Sequence, residues 1–265
     1  MSESKPNDKK IWNSRAERYD EWYKTFQGAV ENYVDWELLK KHLPKNKNAK
    51  ILDAAGGTGR ITLLLARMGY SLTLCDISSG MLAVATQKMF KEGVSEKVKI
   101  LECDVRHLQF ADETFDFVVC WNGTVEGTKE LAVKEIIRVT KKRGRMSIFL
   151  DNKWVTAINN FYKDPDSILA SIESLPSYVQ NEDGKHWVVS VEEARNLFEE
   201  EGIRVIEIYA VCGWMNVLRI PKKVLNSRTW DKKLFDQTTK MVLRLSKEPS
   251  VKGMSKHLVL YGEKL

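Results

Sequence analysis

The sequence predicts an α/β fold in which a mostly parallel sheet carries helices on both faces. Short apolar runs recur at residues 50–55, 71–76, 97–103, 115–121 and 146–150. Stretches with helical spacing separate most of them, at 59–68, 79–92 and 128–141. The runs are apolar throughout, as strands covered on both faces must be.

The elements follow in order. Over residues 11–43, apolar and aromatic residues fall at helical spacing, most clearly Tyr19, Trp22, Tyr23 and Phe26, and Pro44 closes the segment. This reads as an amphipathic helix pair, followed by the polar connector KNKNAK at 45–50. Ser78 or Ser79 can cap the helix after Asp76, because a hydroxyl accepts from the first free amides. Gly144 is expected to end the helix at 128–141 in a left-handed turn, with Lys141 and Lys142 against the negative end of its dipole. Residues 151–189 read as a helical insertion, 189–202 as an amphipathic helix and 203–211 as a strand. A second insertion covers about 212–254, and HLVLYGEKL supplies a last strand. Trp154, Phe161, Tyr162, Tyr178, Trp187, Trp214 and Trp230 fall in or beside these insertions and read mostly as local core.

At 265 residues the chain can build one large core with a smaller cap, here 1–45 as helical cap and 46–265 as core with insertions near 151–189 and 212–254. Hydrophobic residues at 43% and charged residues at 29% exclude disordered and fibrous classes. The polar opening MSESKPNDKK lacks the apolar stretch of a signal peptide, and no run of eighteen apolar residues occurs, so no transmembrane segment and a cytoplasmic location are expected. Cys75, Cys103, Cys120 and Cys212 lack the paired spacing of a zinc site and read as reduced thiols, with no metal expected. The net charge of +6 suits RNA, nucleotides or anionic membranes, but Lys and Arg spread along the whole chain, as on a solvated basic surface.

Ligands of an open parallel sheet bind beyond the carboxyl ends of the strands. There the segment ILDAAGGTGR offers Ala55, Gly56, Gly57, Thr58 and Gly59, whose small side chains admit a ligand close to free amides. The spacing fails the dinucleotide fingerprint, since Gly57 and Gly59 are followed by Thr62, and Arg60 stands where a Walker motif needs lysine. Asp53 also opposes a pyrophosphate and favours a positively charged ligand end. Asp76, about 20 residues on, closes the second strand where an acid accepts from ribose hydroxyls. Asp104 can accept from an exocyclic amine of a base, with Ile77, Met81 and Val105 sandwiching the ring.

These loops describe a ligand with an amino acid end, a ribose and a purine, which are the parts of S-adenosylmethionine. ILDAAGGTGR, LTLCDISSGMLAVA, ECDVRHLQFADETFDFVV and KEIIRVTKKRGR resemble the successive motifs of class I S-adenosylmethionine-dependent methyltransferases. Within that class they are most similar to the group containing the ubiquinone and menaquinone C-methylases. The resemblance covers roughly residues 11–150. It implies a Rossmann-like, seven-stranded sheet whose last strand, here 256–263, runs antiparallel, with the N-terminal helices folded over the cofactor. WNSRAERYD looks like the family's opening segment, which would set Tyr19 near the methionine carboxylate; alternatively Tyr19 packs with Trp22 and Tyr23. Two departures are a methyl at Ala55, where the family has its first loop glycine, and KKRG in place of a lysine-proline-glycine-glycine turn.

Methyl transfer from a sulfonium needs the nucleophile in line with the sulfur–methyl bond, so positioning supplies much of the effect. Hydroxyl or carbon acceptors also need a base. Candidate bases are His107, Asp151 and His186. The fourth strand ends in Cys120, Trp121, Asn122 and Gly123, which should face the methyl group; WNGT there is unlike the NPPY-type motif of amino-methylating enzymes. Cys120 has no identifiable partner histidine for nucleophilic work and reads as a small packing residue at the strand end. Aromatics in both insertions suit a small-molecule acceptor under a water-excluding lid. The alternatives are tRNA or rRNA as acceptor, motivated by KKHLPKNKNAK and TKKRGR, and a non-catalytic S-adenosylmethionine-binding protein on the same fold.

Overall fold

The computed structural model describes residues 6–121, 129–174, 177–181, 184–211 and 218–265. The chain forms two compact units, one of residues up to 20, 43–148 and 263–265, the other of residues 21–42 and 149–262. The expected cap is shared between them: α1 (Pro6–Tyr19) belongs to the first and α2 (Phe26–Lys40) to the second.

In the first unit, β1 (Ile51–Ala54), β2 (Leu72–Asp76), β3 (Val98–Glu102), β4 (Phe115–Cys120) and β5 (Thr140–Asn152) lie parallel in the order β3-β2-β1-β4-β5. All four residues of β1 are buried, which is why ILDA shows no polar alternation. The crossovers are α3 (Arg60–Arg67), α4 (Ser79–Lys91) and α5 (Lys129–Val139). α3 turns Ile61, Leu65 and Ala66 inward, the i, i+4 stripe that its sequence carries. Ser78 caps α4, its hydroxyl accepting from the Met81 amide at 3.1 Å.

The start of β5 corrects the expected helix end. Gly144, Lys141 and Lys142 lie inside the strand, Thr140 pairs with Phe115, and the Lys141 ammonium meets Asp116 at 2.7 Å instead of a helix terminus. The left-handed residue is Arg143, φ 59°. Gly144 answers a packing demand, since a Cβ there would stand 2.8 Å from the Lys141 carbonyl oxygen and 3.0 Å from Thr140 Cγ2.

In the second unit the end of β5 pairs in parallel with β7 (Gly184–Val189), which is antiparallel to β6 (Ser177–Asn181). Nine strands are therefore found among the described residues where seven were expected, and the added pair lies in the stretch read as a helical insertion. Helical pattern there ends with α6 (Lys153–Phe161) and α7 (Pro165–Glu173); the following segments are too short to register above it. Ala157, Ile168, Val179 and Val188 form the local core. Trp187 is buried as expected, whereas Trp154, Phe161 and Tyr162 are exposed, because the inward side of α6 is already filled by Val155 and Ala157. α8 (Val191–Glu200) opens with a capping box between Ser190 and Glu193, a device worth about 1 kcal/mol. β8 (Ile203–Val211) has the expected bounds. α9 (Lys222–Leu225), α10 (Lys232–Leu245) and α11 (Pro249–Met254) follow, and the rings of Trp230 and Phe235 pack against buried Phe26.

The last strand, β9 (His257–Lys264), pairs with β5 and β8. It is antiparallel to β5: Arg145 meets Glu263 at 3.2 Å and Asp151 meets His257 at 2.9 Å, so the partner number falls as β5 advances. Among the described residues no helix is long and apolar enough to cross a membrane. Cys212 and Trp214 lie outside the described residues.

Candidate functional site

β1 has β2 on one side and β4 on the other, so strand order reverses at β1 and the loops after β1 and β4 flank the position where such sheets hold ligands. The loop after β1 is built from left-handed backbone: Ala55 has φ 54°, Gly57 55° and Gly59 73°. Gly56 is demanded by contact, since a Cβ would come within 2.2 Å of Leu74 Cδ1 and 2.7 Å of the Asp53 carboxylate. A Cβ on Gly57 would meet nothing nearer than Met81 Sδ at 3.9 Å, so the loop is open on that side.

Two buried carboxylates underlie the loop. Asp53 Oδ2 accepts from the Thr62 hydroxyl at 2.6 Å and the Thr62 amide at 3.1 Å. Burial pushes its carboxyl up to about 6, against the hydrogen bonds of Thr62 and the charge of Arg60, which lower it. Asp76 Oδ2 accepts from the Gly57 amide and Oδ1 from the Ser78 amide, each at 2.9 Å. Burial raises its carboxyl as well, opposed by these amides. An ionised carboxylate has about four acceptor positions, so Asp76 retains capacity for hydroxyl donors. This fits a ribose.

Asp104 is held by Arg106, whose Nε and Nη2 donate to it at 2.8 and 2.6 Å and whose amide donates at 2.9 Å. Burial opposes ionisation of Asp104, but the bonds from Arg106 outweigh it and keep the carboxyl below its usual range. Arg106 was not foreseen as part of the site, although a cation two residues from an acid is a legible signal. Val105 and Met81 are buried and Ile77 is half-buried, apolar neighbours of the acids at the ends of β2 and β3. The thiols of Cys75 and Cys103 interact: their hydrogen bond raises the first and lowers the second. Cys120 and Trp121 are buried at the end of β4, and Trp121 Nε1 donates to Ser147 Oγ at 2.8 Å. The Arg60 guanidinium lies 5.9 Å from the centre of the Trp121 ring. Asn122 and Gly123 lie outside the described residues.

α1 is fastened beside this loop. Asn13 Oδ1 accepts from Ser78 Oγ at 2.7 Å and from the Gly80 amide at 2.9 Å. Beyond the helix, Asp20 accepts from Thr58 Oγ1 at 2.7 Å and meets the Lys88 ammonium at 2.6 Å. Tyr19 packs edge-on against Trp12, with ring centres 6.1 Å apart.

The three candidate bases divide between the units. His107 is exposed in the first, its amide donating to the Asp104 carbonyl at 3.0 Å. Asp151 lies in the second unit and is paired with His257 Nδ1 at 2.9 Å, a partner the sequence reading missed. The backbone of His186 is placed opposite Val179 on β7; its side chain lies outside what is described.

Residues 51–144 match the family model described as a methyltransferase domain. Over these residues the chain is similar to a methyltransferase domain. The matched stretch begins with β1 and ends within β5, so it contains the left-handed loop, Asp53, Asp76, Asp104 and Trp121. A relative, the ubiquinone/menaquinone biosynthesis C-methyltransferase UbiE of Saccharophagus degradans, is 32% identical over 143 residues, 52% of this chain. The match spans 57% of that relative's length. Among solved structures, a Thermotoga maritima S-adenosylmethionine-dependent methyltransferase, described as a possible histamine N-methyltransferase, aligns with TM-score 0.59 at 16% identity, covering 97% of this chain and 99% of that one. The [4+2]-cyclase SpnF aligns with TM-score 0.61 at 15% identity, covering 97% and 95%. Both likenesses establish the Rossmann-like fold around the methyltransferase domain, and the second shows that this fold also carries other chemistry.

Proposed function

We propose that the chain is a cytosolic S-adenosylmethionine-dependent methyltransferase acting on a small-molecule acceptor. The observation that carries this reading is the pairing of Asp76 with the open side of the left-handed loop. A buried acid at the end of β2, with acceptor capacity left over, stands beside Gly57, where a ligand can approach the backbone. Similarity to a quinone C-methyltransferase supports a small, flat acceptor.

When bound, S-adenosylmethionine supplies the methyl group from its sulfonium. Asp76 holds the ribose hydroxyls, and Ile77, Met81 and Val105 give the purine an apolar seat. Asp104, kept ionised by Arg106, accepts from the exocyclic amine. Asp53 offers negative charge beneath the loop to the ammonium end, and Tyr19 closes over the carboxylate. Buried Cys120 and Trp121 exclude water at the end of β4. For an acceptor that must lose a proton, His107, Asp151 and His186 are the proposed proton acceptors.

The test is incubation of purified protein with methyl-labelled S-adenosylmethionine and separate pools of quinone-like aromatics, small amines and RNA. Label should enter a small molecule. Label in RNA alone, or donor binding with no transfer to any pool, contradicts the reading.

A further inference from the structure

We propose that a second cleft, at the amino ends of β1 to β4, binds the phosphate-bearing part of a nucleotide. It lies wholly in the first unit, at the opposite end of these strands from Asp76 and Asp104. The cleft measures about 620 Å³ and so falls in the size range of small-molecule sites.

Its lining brings together cations that are far apart in the chain. Lys50 stands immediately before β1, Lys97 immediately before β3, and Lys99 within β3. Lys97 ends the short 3-10 turn Ser95–Lys97 and Lys99 follows within β3, and both line the cleft. These three ammonium groups face one lining carboxylate, Glu96. A further acid, Asp116, leaves an excess of cations, because two of them act on it: the Lys141 ammonium at 2.7 Å and the charge of Lys50, whose amide also donates to it at 2.8 Å.

Ser71 and Ser95 add hydroxyls, and half-buried Phe110 adds a ring braced edge-on by Phe115 with centres 5.0 Å apart. Ammonium groups and hydroxyls beside an aromatic wall match a phosphate ester attached to a flat base. Protection of an exposed edge accounts for Lys99, since β3 is the outer strand of this unit. It does not account for Lys50, which enters the cleft from β1, two strands further in. Lys50 also ends KKHLPKNKNAK, a basic stretch that the donor site leaves unused.

The probe is UTP, titrated by calorimetry into protein saturated with S-adenosylhomocysteine, so that the donor site is blocked and a pyrimidine is offered. UTP should bind, with affinity falling as salt is added. The double variant Lys97→Gln/Lys99→Gln should bind about tenfold more weakly, Lys50→Gln should also weaken binding, and both should keep the parent affinity for S-adenosylhomocysteine. A short uridine oligonucleotide tested in parallel identifies the source: tighter binding that the same substitutions weaken assigns the cleft to RNA, and weaker binding than UTP assigns it to free nucleotide. No UTP binding at millimolar concentration, binding untouched by the substitutions, or displacement of UTP by S-adenosylhomocysteine overturns the proposal. None of these outcomes depends on methyl transfer.

Discussion

The Gly57 amide donates to Asp76 Oδ2 at 2.9 Å, so one carboxylate both fastens the loop after β1 and presents its remaining acceptor positions to a ligand. Replacing Asp76 by Ala removes both roles. Asp76→Ala is expected to weaken S-adenosylhomocysteine binding by about 1–3 kcal/mol, as lost charge-assisted hydrogen bonds would. Calorimetry reads this directly. Unchanged affinity would mean that neither role contributes to holding the ligand.

Asp53 makes a pH prediction. Its folded-state carboxyl is raised to about 6 from an ordinary value of 3.8, so the native chain keeps a proton there that the unfolded chain has lost. Stability from this group therefore falls as pH rises through that window, and the cost is complete above it. Asp53→Asn keeps an acceptor for Thr62 and removes the buried charge. The variant should match the parent near the lower end of the window and exceed it at neutral pH by up to about 3 kcal/mol. Its affinity for the ammonium-bearing donor should fall. Denaturant unfolding across this pH range checks the first part; a variant no more stable at neutral pH than the parent contradicts it.

α1 should be held by Asn13. Its side-chain oxygen takes both the Ser78 hydroxyl and the Gly80 amide at the start of α4. Asn13→Ala should raise amide hydrogen exchange along α1 while leaving β1 to β4 protected, a local opening and not global unfolding. Equal exchange in parent and variant would assign the docking of α1 to Asp20, which engages Thr58 and Lys88, instead.

Ala55 carries a side chain at φ 54°, where a Cβ is strained by about 1 kcal/mol. Ala55→Gly removes that strain but gains freedom in the unfolded chain, so the net rise in Tm should be small, about 2 °C. A fall in Tm would show that the methyl contributes packing greater than its strain.

The sequence was most legible where one physical signal acted alone. The fully buried strands β1 and β2 read as apolar runs, and β8 occupies the residues expected because IRVIEIYAV has no competing helical pattern. The first residues of β5 were missed because TKKRGR is polar, and its pairing with β4 is made by backbone that composition does not report. The β6–β7 hairpin was hidden by the two helices before it. At the candidate site, Asp53, Asp76 and Asp104 are proposed from strand ends and spacing, whereas the engagement of each by Thr62, Gly57 and Arg106 is three-dimensional. His257 was missed for the same reason: it meets Asp151 from 106 residues away.

The most direct test of the donor site is calorimetric titration of the purified protein with S-adenosylmethionine, S-adenosylhomocysteine and NAD in parallel. The arrangement of Asp53, Asp76 and the left-handed loop predicts binding of the first two and none of NAD. Binding of NAD alone would contradict it and would make the loop a dinucleotide site.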